Sequence, residues 1–488
     1  MIRAPRMISA AALALMAAVA QAAAQTIPPE TGREAGGGLA IVSPANLASV
    51  LGSSPLAGGV PTGTVAPERV RLSLHEALAR GLAHNLAAVL GEQRIKSADA
   101  SRWAAWSGLL PSVSASLMQA REQINLQAFG IPVPPGESPI VGPFNVMDRR
   151  LSLTQTLFSY SAVETARSGN AIKTAASFAN QDVRDQVVVA VAGMYLQLVS
   201  TQSRIEAARA QLNTAQALYD RAVALKQAGM AAGVETIRAQ VQMENQRQRV
   251  IFSENEFAKQ KLQLARSIGL PLGQEYDLTD RFPYGALENM SIADALARAM
   301  SSRADYKAAL ELLKAAEFSR QAAIGHLLPT LGLAADIGSI GQQWGSALRT
   351  FSVVAQVHIP ILQAGRERSR ILAADASLKQ ERALLGDLRA RIEYEVRAAL
   401  LDVDATGQRM KVAQGASELA ALQLTQAQDR FGAGVASHLE VVQAQEAVAT
   451  ASDNLISSQF AHSLAKGALA RALGIAEASV ERFLGGQR

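Results

Sequence analysis

The side chains that most often catalyse reactions or bind metals are sparse in this chain, and their spacing favours neither role. Six histidines stand at positions 75, 84, 326, 358, 438 and 462, and none forms the H-E-x-x-H pattern that puts two imidazoles on one helix face. The chain has no cysteine, which excludes disulfides and a lipoprotein acylation site. There is no G-x-S-x-G nucleophile motif. The sequence therefore predicts a protein that is not an enzyme and that has no catalytic residue, bound metal or cofactor.

Two acidic residues recur in a fixed setting, each just after a pair of glycines. Glu235 follows the pair in 229–233 and Glu440 follows the pair in 432–434, at a constant offset of 205. The positive end of a helix dipole stabilises acids in the first helical turn. A solvated acid at a helix start is therefore a sufficient interpretation of both residues, and we interpret the nearby His438 as a surface histidine.

The surroundings of these acids belong to an internal repeat. Residues 76–111 align without a gap on residues 294–329 at an offset of 218, and both segments end in Leu-Leu-Pro. Further along, the offset becomes 205 and aligns 229–270 with 434–475. A repeat this long is too large for a solenoid module. We therefore predict two tandem structural halves, at residues 71–275 and 276–476, followed by a C-terminal tail at 477–488.

The N-terminus has the pattern of a secretory signal peptide. Arg3 and Arg6 precede an apolar run from Ile8 to Ala20, and Ala22-Ala23-Ala24 forms a small-residue cleavage site. We expect a signal peptide at 1–24 and a flexible tail rich in Gly and Pro at 25–70. The formal charge is +5, or +3 without the two arginines, a balance that does not indicate nucleic-acid binding.

Two long proline-free stretches carry the spacing of long helices. No proline occurs in 144–270 or in 361–488, and proline inside a helix costs about 3 kcal/mol. Helical spacing also runs from Ser73 to about Leu109. Seam residues recur every seven positions in both stretches: Val191, Leu198, Ile205, Leu212 and Tyr219, then Val396, Val403, Met410, Ser417 and Leu424. This period is typical of coiled coils, and the glycine pairs mark helix ends, so we predict helical hairpins at 161–268 and 365–473.

Segments of alternating polar and apolar residues lie before each helical hairpin. They predict two-stranded β-hairpins at 111–157 and 329–361. Each strand has room for about ten residues, the length of a tilted membrane strand. An ordinary soluble hairpin satisfies the same pattern. If the strands are in a membrane, four strands are too few to close a barrel, so several chains must contribute, and three chains give twelve strands.

The order of these motifs resembles the TolC family of outer-membrane efflux and type I secretion channels, over about residues 71–476. The second tip, residues 430–445, reads RFGAGVASHLEVVQAQ and is similar to the family pattern R-Y-x-x-G-x-x-S-x-x-D-V-L-x-A-Q. The other motifs that carry the resemblance are the duplicated E/D-A-L-A helix start, the duplicated Leu-Leu-Pro, Leu157-Phe158 and Pro360-Ile361-Leu362.

The resemblance implies a mainly α-helical fold with a membrane β part. The expected assembly is a homotrimer in the outer membrane, with a twelve-stranded β-barrel in lipid and an α-helical barrel of coiled-coil hairpins extending into the periplasm. The expected partners are outer-membrane lipid, a periplasmic membrane-fusion adaptor and an inner-membrane pump of the RND, ABC or a similar class. The implied function is a passive export duct of a tripartite efflux pump or a type I secretion system.

The resemblance also assigns roles at the two tips. The turns Gly229-Met230 and Gly434-Val435 match the adaptor-docking positions of the family. Glu235 and Glu440 match its periplasmic aperture carboxylates, and the uncharged Gln443 stands where a second carboxylate is common. Phe431 and Ala436 occupy the positions of a Tyr and an Arg that latch the closed tip in family members. Neither side chain can make those polar bonds.

Two other classes of protein remain as alternatives. A periplasmic coiled-coil adaptor also has a helical hairpin, but adaptors usually have one hairpin, small β-domains and an inner-membrane anchor. A secreted structural coiled coil predicts neither alternating strands nor prolines beside them.

Overall fold

The computed structural model of the chain describes residues 54–484 apart from 131, 135, 231, 281–289, 362, 364 and 434. The predicted signal peptide and Gly434 lie outside the described residues. The described helices are α1 Leu74–His84, α2 Leu86–Ser107, α3 Tyr160–Gln227, α4 Gly233–Ser267, α5 Ile292–Ser302, α6 Ala304–Gly325, α7 Arg366–Gly432, α8 His438–Ala472 and α9 Ala476–Leu484. The described strands are β1 Val70–Leu72, β2 Ser112–Asn125, β3 Ile140–Phe158, β4 Tyr276–Leu278, β5 Thr330–Gly341 and β6 Leu348–His358.

The first helical segment is broken, and the prediction of continuous helix from Ser73 to about Leu109 is wrong at Asn85. This residue has extended backbone angles, φ −62° and ψ 136°, so α1 ends and α2 begins there. Its side chain is fully buried. The amide oxygen accepts a hydrogen bond from the Ala87 backbone at 3.0 Å, and the amide nitrogen donates to the carbonyls of Leu56 and Ser267 at 2.8 and 3.0 Å. The contact with Ser267 joins the start of α2 to the end of α4.

The second half has the same break at Arg303, which is Asn85 moved by the repeat offset of 218. The Arg303 side chain is 4% exposed and forms ion pairs with Asp305 at 2.6 Å and Glu395 at 2.5 Å. Burial lowers the pKa of this guanidinium, but its two carboxylate partners outweigh that effect and raise the pKa above its ordinary value. An amide and an ion-paired guanidinium therefore occupy equivalent joints in the two halves.

Long antiparallel helices form the main body. In the first half α3 turns at Gly229, which has a left-handed φ of 73°, and returns as α4. In the second half α7 returns as α8. Each half thus has one long helix that packs against a return helix and, further along, against α2 or α6. In the first half, the end of the return helix α4 meets the start of α2 at the contact between Asn85 and Ser267.

Five of the ten residues of the heptad seam are buried between the helices. Val191, Leu198 and Val396 have no exposed surface, and Ile205 and Met410 are 7% exposed. The remaining seam residues, Leu212, Tyr219, Val403, Ser417 and Leu424, are half-buried. Burying an aliphatic side chain stabilises the fold by about 1.5–3 kcal/mol, so these residues fix the helix register.

The expected tail is ordered over the part that the structure describes, and this corrects the prediction of a flexible segment reaching residue 70. The Val60 and Thr62 amides donate to the carbonyls of His84 and Gly269 at 2.8 and 3.0 Å. The Ala66 amide donates to the side chain of Gln274 at 2.7 Å. These partners come from two distant parts of the chain, and β1 continues the path by pairing in parallel with β4.

The C-terminal segment is also ordered, so the prediction of a tail at 477–488 is wrong for residues 477–484. These residues belong to α9, whose Ala476, Val480 and Leu484 lie in the main hydrophobic core. Asp185 caps this helix by accepting a hydrogen bond from the Glu477 amide at 2.7 Å. Glu477 in turn forms an ion pair with Arg184.

The four long strands form one antiparallel sheet in the order β2-β3-β5-β6. The register pairs Ser114 with Ser152, Ser152 with Asp336, and Asp336 with Ser352. The outer strands β2 and β6 each have one neighbour among the described strands. Within the described part of the chain, no helix is both long and apolar enough to cross a membrane.

Candidate functional site: the two-faced sheet and the hairpin tips

The sheet has one polar face. Residues directly opposite each other on neighbouring strands share a face, and side chains alternate between the faces along each strand. Its polar members have short hydroxyl, amide or charged side chains and include Ser112, Ser114, Ser116, Ser152, Thr154, Thr156, Asp336, Ser352, Gln356 and His358, with Ala334 and Val354 among the apolar residues between them. A cavity of about 410 Å³ opens on this face where the sheet meets the helices.

The other face of the sheet is apolar. Its members are Val113, Leu117, Leu151, Leu153, Leu333, Ile337, Phe351, Val353 and Val357. Several are largely exposed in the single chain, with Leu117 at 78% and Phe351 at 79%. A continuous exposed apolar surface of this kind is typical of contact with lipid. The sheet therefore has the two surfaces that a membrane channel wall needs.

A charged cluster lies on the polar face. Arg150 forms an ion pair with Asp148 on its own strand at 3.1 Å and a second one with Asp336 on β5. The three side chains are 17–29% exposed. Because two carboxylates share one guanidinium, the cluster has a formal charge of −1 when all three groups are ionised. This contributes negative charge to the polar side of the wall.

Two tryptophans mark the junction between the helices and the sheet. Trp103 and Trp106 lie in the last turns of α2, just before β2, and are 58% and 39% exposed. The Trp106 indole donates to Asn170 at 3.1 Å. Exposed tryptophan is enriched at the boundary between membrane and water.

The predicted docking residues lie at the exposed turns of the helical hairpins. Met230 and Val435 are 71% and 67% exposed. Their backbone amides close the helix ends by donating to the carbonyls of Leu225 and Arg430 at 2.9 and 3.0 Å. Both apolar side chains are therefore exposed at the turns of the two helical hairpins.

Each predicted aperture carboxylate has an arginine beside it. Glu235 lies in the first turn of α4 and pairs with Arg238 at 3.0 Å. Glu440 lies in the first turn of α8 and pairs with Arg430 at 3.4 Å. These pairs are 33–67% exposed, and exposed ion pairs are worth about 0–1 kcal/mol. Gln443 is exposed one turn further along α8.

Phe431, which stands where family members have a latching Tyr, has a cationic neighbour. The guanidinium of Arg221 lies 5.1 Å from the centroid of its ring. Because Arg221 belongs to α3 and Phe431 to α7, this cation–π contact links the two hairpins close to their tips. The sequence alone did not reveal it, because nothing local connects residues 210 positions apart.

A second link between the hairpins centres on Glu446 of α8. Its carboxylate accepts hydrogen bonds from Gln242 at 2.9 Å and Gln246 at 3.4 Å, and pairs with Arg249 at 3.2 Å. Burial on its own raises the pKa of Glu446, but the hydrogen bonds and the charge of Arg249 outweigh it and hold the pKa below its ordinary value. Glu446 therefore ties the two return helices together in its ionised form.

Comparison with known proteins gives the family. The sequence profile of the outer membrane efflux protein family matches residues 75–270 and 295–475, one range in each repeat. The chain belongs to the outer membrane efflux protein family. Membership confirms the predicted resemblance to TolC-type channels, the predicted function as an outer-membrane efflux channel, and the prediction that the chain is not an enzyme. It also confirms the outer membrane as its location, with the helical part extending into the periplasm. The two alternative classes, a periplasmic adaptor and a structural coiled coil, are wrong.

Individual relatives agree with this assignment. The chain is 24% identical to the pyoverdine export outer membrane protein OpmQ of Pseudomonas putida over 412 residues, which cover 81% of this chain and 84% of that protein. Its fold is similar to that of the outer membrane protein VceC of Vibrio cholerae, with a TM-score of 0.71 and 18% identity over 82% of this chain and 96% of VceC. The Campylobacter jejuni CmeC outer membrane channel has a TM-score of 0.72 at 17% identity, over 83% of this chain and 86% of CmeC. The efflux-channel fold is therefore conserved at low sequence identity.

Proposed function

We propose that three copies of this chain form one continuous duct across the outer membrane and the periplasm. The observation that supports this most strongly is the four-stranded sheet, which has a polar face, an apolar face and two open edges. A sheet edge in lipid leaves backbone hydrogen-bonding groups unpaired, at several kcal/mol each. Pairing β6 of one copy with β2 of the next removes every edge and produces a twelve-stranded barrel with its polar face inward.

The duct is tested by assembly and conductance. The purified full-length protein should have the mass of a trimer in detergent and should form ion-conducting channels in planar bilayers. Leu117→Asp puts a charge on the apolar face, where a charged residue is costly, and should reduce insertion. Ser116→Asp puts the same charge on the polar face of the same strand and should insert normally. Equal insertion of the two variants would contradict the assignment of the faces.

The hairpin tips are the proposed docking site for a periplasmic membrane-fusion adaptor, which in turn binds an inner-membrane pump. The support is the exposure of Met230 and Val435 at the two turns, together with the family. Since the chain has no cysteine, Met230→Cys and Val435→Cys each introduce a single thiol. A short thiol–amine cross-linker in cells should join both variants to the adaptor. Gly415→Cys, 17 residues before the end of α7, should not be cross-linked to it.

Glu235 and Glu440 are the proposed aperture residues, and Gln443 is the uncharged position beside them. Three copies of each carboxylate around a narrow opening attract cations and repel anions. Arg238 and Arg430 reduce this effect because they stand within ion-pair distance. The aperture is therefore expected to be moderately, rather than strongly, cation-selective.

The transported substrate is proposed only by class. The curated relatives are named for export of pyoverdine, which supports export rather than uptake. A channel wall rich in serine and threonine favours polar solutes in general over one particular compound. The pump and adaptor are therefore expected to choose the substrate, and deletion of the inner-membrane pump should abolish export while leaving the conductance of the purified duct unchanged.

A further inference from the structure

The charges of the sheet are segregated between its two faces. The acidic residues of the four long strands, Glu122, Asp148 and Asp336, all belong to the polar face, where Arg150 pairs with two of them. The apolar face of these strands has no acidic residue. Its charged residues there are Arg121, Arg149 and Arg349. All charged residues on this lipid-facing surface are therefore basic, and basic side chains are stabilised by an anionic neighbour.

Two of these arginines form a row across three strands. Arg149 of β3 is opposite Ser339 of β5, and Ser339 is opposite Arg349 of β6. The two arginine Cα atoms are therefore two strand spacings apart, about 10 Å. Both side chains are exposed, whereas Ser339 between them is 4% exposed. The row therefore places an exposed cation on each side of a buried serine hydroxyl.

Most hydrogen-bonding capacity of the two guanidinium groups is unused. Arg149 donates from Nε to the Ser339 hydroxyl at 2.7 Å. Neither Arg149 nor Arg349 forms an ion pair with any residue that the structure describes, and Arg349 makes no side-chain hydrogen bond there either. A guanidinium presents five N–H donors in a planar fork that matches phosphate oxygens.

The row lies at the outer boundary of the apolar band. From Leu157, where β3 meets the helices, to Arg149 is eight residues, or about 27 Å along the strand. At a tilt of about 40° this is about 20 Å of height, close to the 25 Å of an outer-membrane apolar band. The β5–β6 hairpin turns shortly beyond the row, since β5 ends at Gly341. With the helices in the periplasm, the row is level with the head groups of the outer leaflet.

We propose that Arg149 and Arg349 bind the phosphate groups of a phosphorylated glycolipid in the outer leaflet of the membrane. The inference rests on the proposed function, because it needs the sheet to span the outer membrane with its hairpins outward. The acyl chains of the lipid lie on Leu151, Ile337 and Phe351 below the row, and its phosphate groups lie between and beside the two guanidinium groups. The site is thus both apolar and cationic, which suits a phosphorylated lipid better than free phosphate.

The test uses the full-length trimer and three forms of one probe: bisphosphorylated, monophosphorylated and dephosphorylated lipid A, each without core sugars. Lipid retained by the trimer is counted by native mass spectrometry. The wild type should retain the bisphosphorylated form at least tenfold better than the dephosphorylated form. Arg349→Gln should reduce this preference severalfold, and the double variant Arg149→Gln/Arg349→Gln should abolish it. Inorganic phosphate in millimolar excess should not displace the lipid.

Arg121→Gln is the matched control. It removes an arginine from the same face of the neighbouring strand, four residues beyond the row, or about 14 Å further along the strand. It should retain the wild-type preference, because lipid A without core sugars does not extend that far. Displacement by free phosphate would show a simple anion site and would overturn the proposal.

The outcomes also separate this inference from the proposed function. If the wild-type trimer conducts ions but retains all three lipid forms equally, or if the double variant keeps its preference, the lipid site is wrong and the duct stands. If Arg121→Gln weakens the preference as much as the double variant does, the row is not the site. If the wild type forms neither a trimer nor a channel, the proposed function itself is wrong.

Discussion

Replacing Asn85 by alanine should loosen the joint at which the N-terminal segment, α1, α2 and α4 meet. The substitution removes three hydrogen bonds, two of which hold the carbonyls of Leu56 and Ser267. It leaves those carbonyls in a site from which solvent is excluded, because Asn85 has no exposed surface. It also makes the local sequence a better helix former, so α1 and α2 lose the residue that separates them.

The size of the effect follows from these contacts. Losing the cap at Ala87 costs about 0.5–2 kcal/mol, and losing each of the two carbonyl bonds costs about 0.5–1.5 kcal/mol. The better helix propensity of alanine returns at most about 0.7 kcal/mol. The net loss of local stability is therefore about 1–4 kcal/mol, and the middle of this range corresponds to an equilibrium constant for local opening that is about 60-fold larger.

Amide hydrogen exchange measures this opening directly. The Leu86 amide donates to Gly58 at 2.9 Å and the Val60 amide to His84 at 2.8 Å, so both should exchange faster in the variant. Asn125→Ala is the matched control. It removes an exposed cap of the Gln127 amide and should leave the joint unchanged. Wild-type exchange at residues 58–86 in Asn85→Ala would refute the idea that this side chain maintains the break.

Three further predictions concern the aperture, the link between hairpins and the helix seam. Glu440→Gln should lower the cation selectivity of single channels in bilayers with little change in conductance, and adding Glu235→Gln should lower it further; unchanged selectivity would locate the constriction elsewhere. Glu446 has a lowered folded pKa, so its contribution to stability is complete above the ordinary carboxylate pKa of about 4.3 and is lost as the pH falls through the folded value. Acid unfolding of Glu446→Gln should therefore be less steep than that of the wild type, and identical curves would contradict the link. Leu198→Ala empties a fully buried position and should cost about 2–5 kcal/mol in denaturant unfolding, whereas a cost below 1 kcal/mol would show a loosely packed seam.

The fold class could be predicted because its signals are local and occur twice. A seven-residue period and the absence of proline specify long helices without knowledge of their partners. The alternation of polar and apolar residues along a strand likewise specifies which of its faces is apolar. Val191 and Val396 are fully buried at equivalent places in the two repeats, as the period requires.

The ordered ends and the helix breaks could not be predicted, because their partners are distant in sequence. The local sequence around Asn85 is compatible with a continuous helix, because the bond from its side chain to the Ser267 carbonyl joins residues far apart in the chain. Glycine and proline between residues 54 and 70 indicate a tail, whereas the structure gives Ala66 a hydrogen bond to Gln274. The helix at the C-terminus depends in the same way on its cap, Asp185.

The helical positions of Glu235 and Glu440 were predictable from the sequence, but their ion pairs were not. Glu235 and Glu440 stand in first helical turns, as the preceding glycines indicate. The pairing of Glu440 with Arg430 crosses the turn of the hairpin, and the pairing of Glu446 with Arg249 crosses between hairpins. Both depend on geometry that no local pattern contains.

The most direct test of the central claim is the topology of the chain in living cells. Gly345, in the β5–β6 turn, and Gly432, at the end of α7, are both exposed, and an added Cβ meets no atom within 4 Å at either position. Because the native chain has no cysteine, Gly345→Cys and Gly432→Cys each carry one thiol. A maleimide too large to pass porins should label Gly345→Cys on intact cells, and should label Gly432→Cys only after the outer membrane is permeabilised. Labelling of Gly432→Cys on intact cells, or protection of Gly345→Cys until permeabilisation, would contradict a duct that has its sheet in the outer membrane and its hairpins in the periplasm.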